Sequence, residues 1–183
     1  ANGLPQERQM KLILENWRQY LNEGEEEVRV LVPPSSLEAG RELIATTAMP
    51  GQDLEDEFEF TVDGEDEPKT GTHADFVKTL KDDVVPHEAI HALQMREMPE
   101  LFKGLPEIDL GDSWEESSPA QIQRYYSRPP EIMAFAYDYV ADVGASSGST
   151  REELYNSYEE IGGDVFETFK KYIEAYKKQL AAE

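Results

Sequence analysis

The chain has 183 residues, enough for one hydrophobic core or for one core with an appended segment. Its net charge of −22, from 39 acidic and 17 basic residues, argues against binding nucleic-acid phosphates. The absence of cysteine excludes disulfides, thiolate metal ligands and a thiol nucleophile. No apolar stretch approaches the ~20 residues that span a bilayer, and no secretory leader is recognisable. We therefore expect a cytoplasmic protein without membrane contact.

The N-terminal segment differs from the rest of the chain. Apolar residues recur at helical spacing over residues 5–22, which predicts an amphipathic helix, and an acidic linker follows at residues 23–27. This helix either packs on the core or docks elsewhere. We therefore divide the chain into an N-terminal helix, residues 1–22, and one domain, residues 23–183.

The domain is predicted to mix strands and helices. β-branched or alternating apolar residues bounded by turn residues predict three strands, at residues 28–32, 43–48 and 58–62. Periodicity, prolines and capping residues predict six helices, at residues 72–81, 86–98, 118–125, 129–140, 150–162 and 164–181. The expected fold is α+β, with a small, mostly antiparallel sheet packed on the helix at residues 86–98 and on further C-terminal helices.

His87 and His91 are separated by four residues within a predicted helix. They therefore lie on the same face and can present two imidazoles to one metal ion. Zinc suits such a pair, because it accepts nitrogen and oxygen ligands and keeps one position open for water in catalytic sites. Glu88 lies beside His87, where its carboxylate can accept a proton from that water, whose pKa the metal lowers to about 7.

A catalytic zinc needs a third protein ligand, and Glu131 is the first candidate. It lies in the first turn of an apolar helix, where a buried carboxylate needs a partner such as a metal ion. The alternative role for Glu131 is a favourable interaction with the helix dipole. His73 is a rival third ligand.

These residues resemble a known pattern. The sequence HEAIH at residues 87–91, followed 40 residues later by Glu131 on a second helix, resembles the gluzincins, the thermolysin-like zinc metallopeptidases. More narrowly, HEAIHALQ at residues 87–94 and RPPEIMAFA at residues 128–136 are similar to small predicted metallopeptidases of phages and bacteria. The resemblance covers about residues 72–143.

The resemblance implies a zincin-like domain that binds Zn²⁺ through His87, His91 and Glu131. It also implies that Glu88 activates water for attack on a peptide carbonyl. The chain departs from the pattern at Phe135, where thermolysin-like enzymes have an aspartate that orients a metal-bound histidine. Asp138 is a substitute acceptor.

The oxyanion formed during peptide hydrolysis needs a further stabilising group. Tyr125, Tyr126, Arg128 and Tyr137 are close to Glu131 in sequence, and we favour Tyr126 or Arg128. Their ordinary roles would be aromatic packing for the tyrosines and a surface ion pair for the arginine.

Three functions are compatible with these patterns. The first is zinc-dependent hydrolysis of a peptide or protein substrate. The second is a metal-binding but non-catalytic interaction protein, virion-associated if a phage encodes it. The third, motivated by charge alone, is an acidic decoy that mimics DNA and blocks a basic partner. The sequence gives no indication of oligomeric state.

Overall fold

The computed structural model describes residues 28–48, 52–62, 67–105, 117–142 and 149–182. The predicted N-terminal helix at residues 5–22 lies outside them. The described residues form seven α-helices, one 3₁₀ helix and a two-stranded sheet. In chain order these elements are α1 (Leu37–Ala45), β1 (Phe58–Phe60), β2 (Lys69–Gly71), α2 (His73–Thr79), α3 (Val85–Glu97), the 3₁₀ helix (Pro99–Phe102), α4 (Pro119–Tyr126), α5 (Pro129–Ala141), α6 (Arg151–Ile161) and α7 (Gly163–Leu180).

The helix predictions from residue 72 onward are confirmed to within about two residues at each end. Local capping explains why. The Ser118 hydroxyl accepts from the backbone N–H of Gln121 at the start of α4, and Thr150 accepts from Glu153 at the start of α6. In both cases the third helical residue bonds back to the cap, which completes a capping box.

Two of the three strand predictions are wrong. Residues 28–32 have no regular secondary structure, although Leu31 is buried and its carbonyl accepts a 2.8 Å hydrogen bond from the Tyr176 hydroxyl. Residues 43–45 end α1, whose N-cap Ser36 accepts from Ala39, and residues 46–48 follow as a turn and irregular chain. In both places apolar residues are buried against helices, so their pattern reflects burial and not strand pairing.

The third predicted strand is confirmed in a shorter form. Phe58–Phe60 pairs antiparallel with Lys69–Gly71, so that Phe58 is opposite Gly71. The rings of Phe58 and Phe60 lie 6.1 and 5.5 Å from that of Phe76 on α2. The sheet therefore packs on α2, and not on α3 as the sequence predicted. The fold is mixed α and β, with far more helix than strand.

Helix α3 lies between two hydrophobic clusters. Ile90 belongs to a large cluster formed mainly by α5, α6 and α7. Val85, Ala89 and Ala92 belong to a smaller cluster with residues of α1 and α2. A helix that is apolar on several sides is buried between its neighbours. The residues of α3 that carry the HEAIH sequence are therefore fixed by packing on both sides.

None of the helices in the described part of the chain is long and apolar enough to cross a membrane.

Candidate metal centre

Two imidazoles face each other on α3. The Nε2 atoms of His87 and His91 are 3.2 Å apart, and the rings are nearly perpendicular, with centroids 4.8 Å apart. The spacing of four residues places them on one face, as predicted. Pro86 occupies the first turn of the helix, where its missing N–H would have no partner in any case.

Glu131 brings a carboxylate from α5 to this pair. Its Oε2 atom is 3.4 Å from Nε2 of His87 and 3.3 Å from Nε2 of His91. The candidate ligand atoms of these residues lie within 4.8 Å of one another, and all three side chains are buried. This group could hold a metal ion. The structure thus brings together the three ligands that the sequence predicted.

His73, the rival ligand, lies elsewhere. Its Nε2 atom is 3.0 Å from the carbonyl oxygen of Ile44, and its ring contacts Phe76 at a centroid distance of 6.3 Å. The hydrogen bond joins the start of α2 to the end of α1. His73 is therefore a packed residue between two helices and not part of the metal group.

Each of these two histidines has a second partner on its other ring nitrogen. His87 Nδ1 is 2.8 Å from Oδ2 of Asp138, the residue that the sequence offered as a substitute acceptor. His91 Nδ1 is 2.9 Å from Oε1 of Gln94. The Gln94 amide donates from Nε2 to the carbonyl oxygen of Pro130 at 3.0 Å, which fixes its orientation.

These contacts set the tautomer of both rings. Asp138 Oδ2 and Gln94 Oε1 are acceptors, so in the neutral form His87 and His91 each carry their proton on Nδ1. The lone pairs on both Nε2 atoms then face each other and the carboxylate of Glu131. Three electron-rich atoms with no donor between them repel one another. A cation among them converts that repulsion into attraction.

The buried carboxylates around the three candidate ligands also favour a bound cation. Glu131 and Asp138 are 6% and 2% exposed, and no hydrogen bond reaches Oδ1 of Asp138 within the described part of the chain. Buried carboxylates are costly unless positive charge compensates them. One divalent ion would balance two carboxylates. The residues present therefore fit a metal ion such as zinc, which binds imidazole and carboxylate together.

The protein groups alone already attract a proton to this site. Burial lowers the pKa of His87, but the charge and hydrogen bonds of Asp138 and Glu131 outweigh it, so the pKa is raised well above its usual value. The pKa of His91 is also raised, because Glu131 outweighs burial. Burial raises the pKa of Glu131, but the two histidines outweigh it and the pKa falls. All three shifts indicate a site that favours positive charge.

Glu88 is the residue that the sequence predicts as a general base. It follows His87 on α3 and is partly exposed, and its carboxylate makes no hydrogen bond to any residue in the described ranges. Its charge acts on His91 and on Tyr125. A free carboxylate at the edge of a buried metal group is able to accept a proton from water.

Tyr126, one of the two favoured oxyanion candidates, lies in the core. Its ring stacks on Phe135 with centroids 4.8 Å apart, and its carbonyl oxygen accepts from the Tyr158 hydroxyl at 3.0 Å. Ile122 and Tyr126 are separated by four residues on α4 and both contribute to the main hydrophobic cluster, a spacing that could have indicated a core-facing position. Packing explains this tyrosine better than catalysis does.

Tyr125 is the tyrosine at the site, and sequence reasoning did not choose it. Burial raises its pKa, and the charges of Glu131 and Glu88 and a hydrogen bond with Glu131 raise it further. The hydroxyl therefore stays protonated and donates to the carboxylate of Glu131. Nothing in the sequence distinguishes the two adjacent tyrosines except the stripe that assigns Tyr126 to the core.

Phe135 and Arg128 complete the surroundings. The Phe135 ring packs on the His87 imidazole at 4.7 Å, so an apolar wall replaces the aspartate expected by resemblance at this position. Arg128, the other oxyanion candidate, is the N-cap residue of α5. Its Nε atom is buried and has no hydrogen-bond partner among the residues that the structure describes.

Comparison with known protein families, curated proteins and solved structures gave no match for this chain.

Proposed function

We propose that this protein is a zinc-dependent peptide hydrolase with a zincin-like fold. The single observation behind the proposal is the convergence of three electron-rich atoms, from His87, His91 and Glu131. Glu88, the residue after His87 on α3, is partly exposed. Two imidazoles and one carboxylate leave a fourth tetrahedral position for water, as in catalytic zinc sites. This arrangement also matches the pattern of the gluzincins that the sequence resembles.

In such sites zinc supplies polarisation of the substrate carbonyl and a lowered pKa for the attacking water. The residues of this chain have the remaining tasks. Glu88 accepts a proton from the water and passes it to the nitrogen of the leaving amine. Tyr125 remains protonated and holds the carboxylate of Glu131 through a hydrogen bond.

Asp138 and Gln94 fix the histidine rings. By accepting from Nδ1 of His87 and His91, they keep Nε2 of each ring free for the metal. Because Asp138 performs this task from α5, the phenylalanine at position 135 does not weaken the proposal. Phe135 instead excludes water from one side of the His87 ring.

The first test measures metal content by elemental analysis, on wild type and on Glu131→Ala purified without added metal. We expect one zinc per chain in wild type and a sharp loss in the variant. Full zinc content in Glu131→Ala would remove Glu131 from the ligand set. No metal in either protein would contradict the metal site itself.

The second test measures cleavage of a random peptide library, with wild type and Glu88→Gln compared at equal zinc content. We expect cleavage by wild type and a loss of about 100-fold or more in the variant, since a general base usually contributes at least this factor. Equal cleavage by the two proteins would contradict the mechanism. Zinc bound with no cleavage would favour a non-catalytic metal-binding protein.

A further inference from the structure

We propose that Arg128 is a substrate-binding residue that binds a carboxylate of the peptide, either its C-terminal carboxylate or an Asp or Glu side chain. The inference rests on the proposed peptide hydrolysis and specifies its substrate class. The chemistry is the same for both sources, a planar carboxylate on a planar guanidinium.

Two backbone hydrogen bonds fix the position of the Arg128 main chain. Its N–H donates to the carbonyl oxygen of Tyr125 at 3.0 Å, and its own carbonyl oxygen accepts from the N–H of Ile132 at 3.0 Å. It therefore lies between the end of α4 and the first turn of α5, three residues before Glu131. The prolines at positions 129 and 130 stiffen this junction.

The guanidinium lacks the partners that Arg41, the other partly buried arginine among the described residues, has. Arg41 donates to the carbonyl oxygens of Val77 and Leu80 and to Asp82, all at 2.7 to 2.8 Å. Arg128 has a buried Nε without a hydrogen bond, and its side chain makes no ion pair with any residue in the described part of the chain. Leaving a charged donor buried and unpaired is unfavourable unless a ligand completes it.

The position of Arg128 in the chain also places it close to the candidate metal group. Arg128 is the N-cap residue of α5, and Glu131 lies in the first turn of the same helix.

The nearby acids do not neutralise Arg128. Glu131 is engaged by His87, His91 and Tyr125, and Glu88 makes no hydrogen bond to the described residues. In a chain with 39 acids against 17 bases, an arginine left unpaired beside the candidate site requires explanation. An anion supplied by the substrate satisfies its donors, and carboxylates are the anions that an unmodified peptide carries.

The overall charge of −22 limits the peptides that are able to bring a carboxylate to Arg128. The field of the protein repels strongly acidic peptides and attracts basic ones. A single carboxylate on an otherwise neutral or basic peptide meets favourable charge at Arg128. We therefore expect selection for one carboxylate at a fixed distance from the cleaved bond.

The test uses peptides that wild type cleaves, each made in matched versions. One version has an amidated C-terminus, and another has Asn or Gln in place of each Asp or Glu. We expect one change to reduce kcat/KM on the order of ten- to hundred-fold, the usual effect of a charge-assisted hydrogen bond. Sensitivity to amidation identifies the terminal carboxylate, and sensitivity to Gln or Asn identifies a side chain. Indifference to every change overturns the inference.

The variants are Arg128→Gln, Arg128→Lys and, as a matched control, Arg124→Gln, an exposed arginine on α4. In Arg128→Gln the preference for the carboxylate should vanish while zinc content stays at the wild-type level. Arg128→Lys should retain part of the preference for the carboxylate, and Arg124→Gln should retain all of it. A preference that persists in Arg128→Gln overturns the inference.

Binding separates this inference from the proposed function. The matched peptides are titrated by calorimetry into two zinc-loaded proteins, the Glu88→Gln variant and the double variant Glu88→Gln/Arg128→Gln. If wild type cleaves no peptide, the titrated peptides are instead those library members that the zinc-loaded protein retains. Carboxylate-dependent binding that requires Arg128, without cleavage by wild type, supports the site and contradicts hydrolysis. Cleavage that does not depend on a peptide carboxylate contradicts the role of Arg128 but not the proposed hydrolysis. If neither cleavage nor carboxylate-dependent binding is found, both the role of Arg128 and the proposed hydrolysis are contradicted.

Discussion

Asp138 Oδ2 and His87 Nδ1 are 2.8 Å apart, and both side chains are almost completely buried. The contact joins α5 to α3 at the candidate metal centre. An ionised carboxylate only accepts hydrogen bonds, so Nδ1 of His87 carries the proton and the ring is fixed with Nε2 pointing at Glu131. Orientation and charge at this ligand thus depend on a residue that does not belong to the ligand set.

We therefore expect Asp138→Asn to lower zinc affinity by about 10- to 100-fold, the usual effect of removing such an outer partner. The amide has the same shape but no charge, and its own donors compete for orientation. The measurement is competition with a chromophoric chelator. Asp142→Asn is the matched control, since Asp142 is an exposed residue at the end of the same helix. Equal affinity in the two variants would contradict this role.

Gln94→Leu should lower both stability and zinc affinity. Gln94 is 0% exposed and connects His91 with the carbonyl oxygen of Pro130, so leucine leaves a buried donor and a buried acceptor unpaired. Each costs about 1–3 kcal/mol. The measurements are urea unfolding and chelator competition, with Gln123→Leu on the exposed side of α4 as control. A variant as stable as the control would show that water replaces the amide.

The adjacent tyrosines should behave differently. Tyr125→Phe removes the hydroxyl that bonds to Glu131, so we expect a loss in zinc affinity of about 10-fold. Tyr126→Phe keeps the ring that stacks on Phe135 and should leave zinc affinity unchanged. Chelator competition on both variants checks the pair. The opposite ranking would restore Tyr126 as the residue of the site.

Gly40→Ala should destabilise the protein although alanine favours helices. A Cβ at Gly40 would lie 2.9 Å from Cγ1 of Val85, a buried and stiff side chain at the start of α3. The gain in helix propensity is about 1 kcal/mol and overpacking costs about 1–3 kcal/mol, so a net loss of roughly 1 kcal/mol is expected.

Urea unfolding of Gly40→Ala, Val85→Ala and the double variant checks this contact. In the double variant the clash is absent, so the alanine at position 40 should stabilise relative to Val85→Ala alone. A stabilising Gly40→Ala in the wild-type background would show that α1 and α3 separate without cost.

Asp75 gives a prediction for acid pH. Its hydrogen bond and ion pair with Lys78 and its hydrogen bonds with Thr72 lower its pKa from the usual 3.8 to about 2. A lowered carboxyl pKa stabilises the fold above pH 3.8, and this contribution disappears as the pH falls towards 2. NMR titration should find the low midpoint in wild type and a higher one in Lys78→Ala. An unchanged midpoint would contradict the Lys78 contact.

The sequence predicts the α-helices of the second half because their signals are local. Ser118 and Thr150 mark two starts through capping boxes, and prolines mark those of α3, α4 and α5. The strand predictions depend on partners far along the chain. The apolar residues at 28–32 predict a strand on their own, whereas in the structure α7 provides a surface that buries them, and the Tyr176 hydroxyl donates to one of their carbonyl groups.

In the candidate site, too, some residues are predictable from local signals and others depend on contacts between distant parts of the chain. His87, His91 and Glu131 come from spacing and helix position, and Asp138 could be suggested because it also lies on α5. Gln94, Tyr125 and the unpaired state of Arg128 depend on how α3, α4 and α5 meet in space. Side-chain direction at such a junction is set by tertiary packing, which a single sequence does not specify.

The candidate ligands come from two helices that both contribute to the main core, His87 and His91 from α3 and Glu131 from α5. Any ion held there binds the folded chain and not the unfolded one, so its binding energy adds to the energy of folding. At a free ion concentration 100 times the dissociation constant, this linkage adds about 2.7 kcal/mol. The melting temperature of the protein would then report the free metal concentration around it.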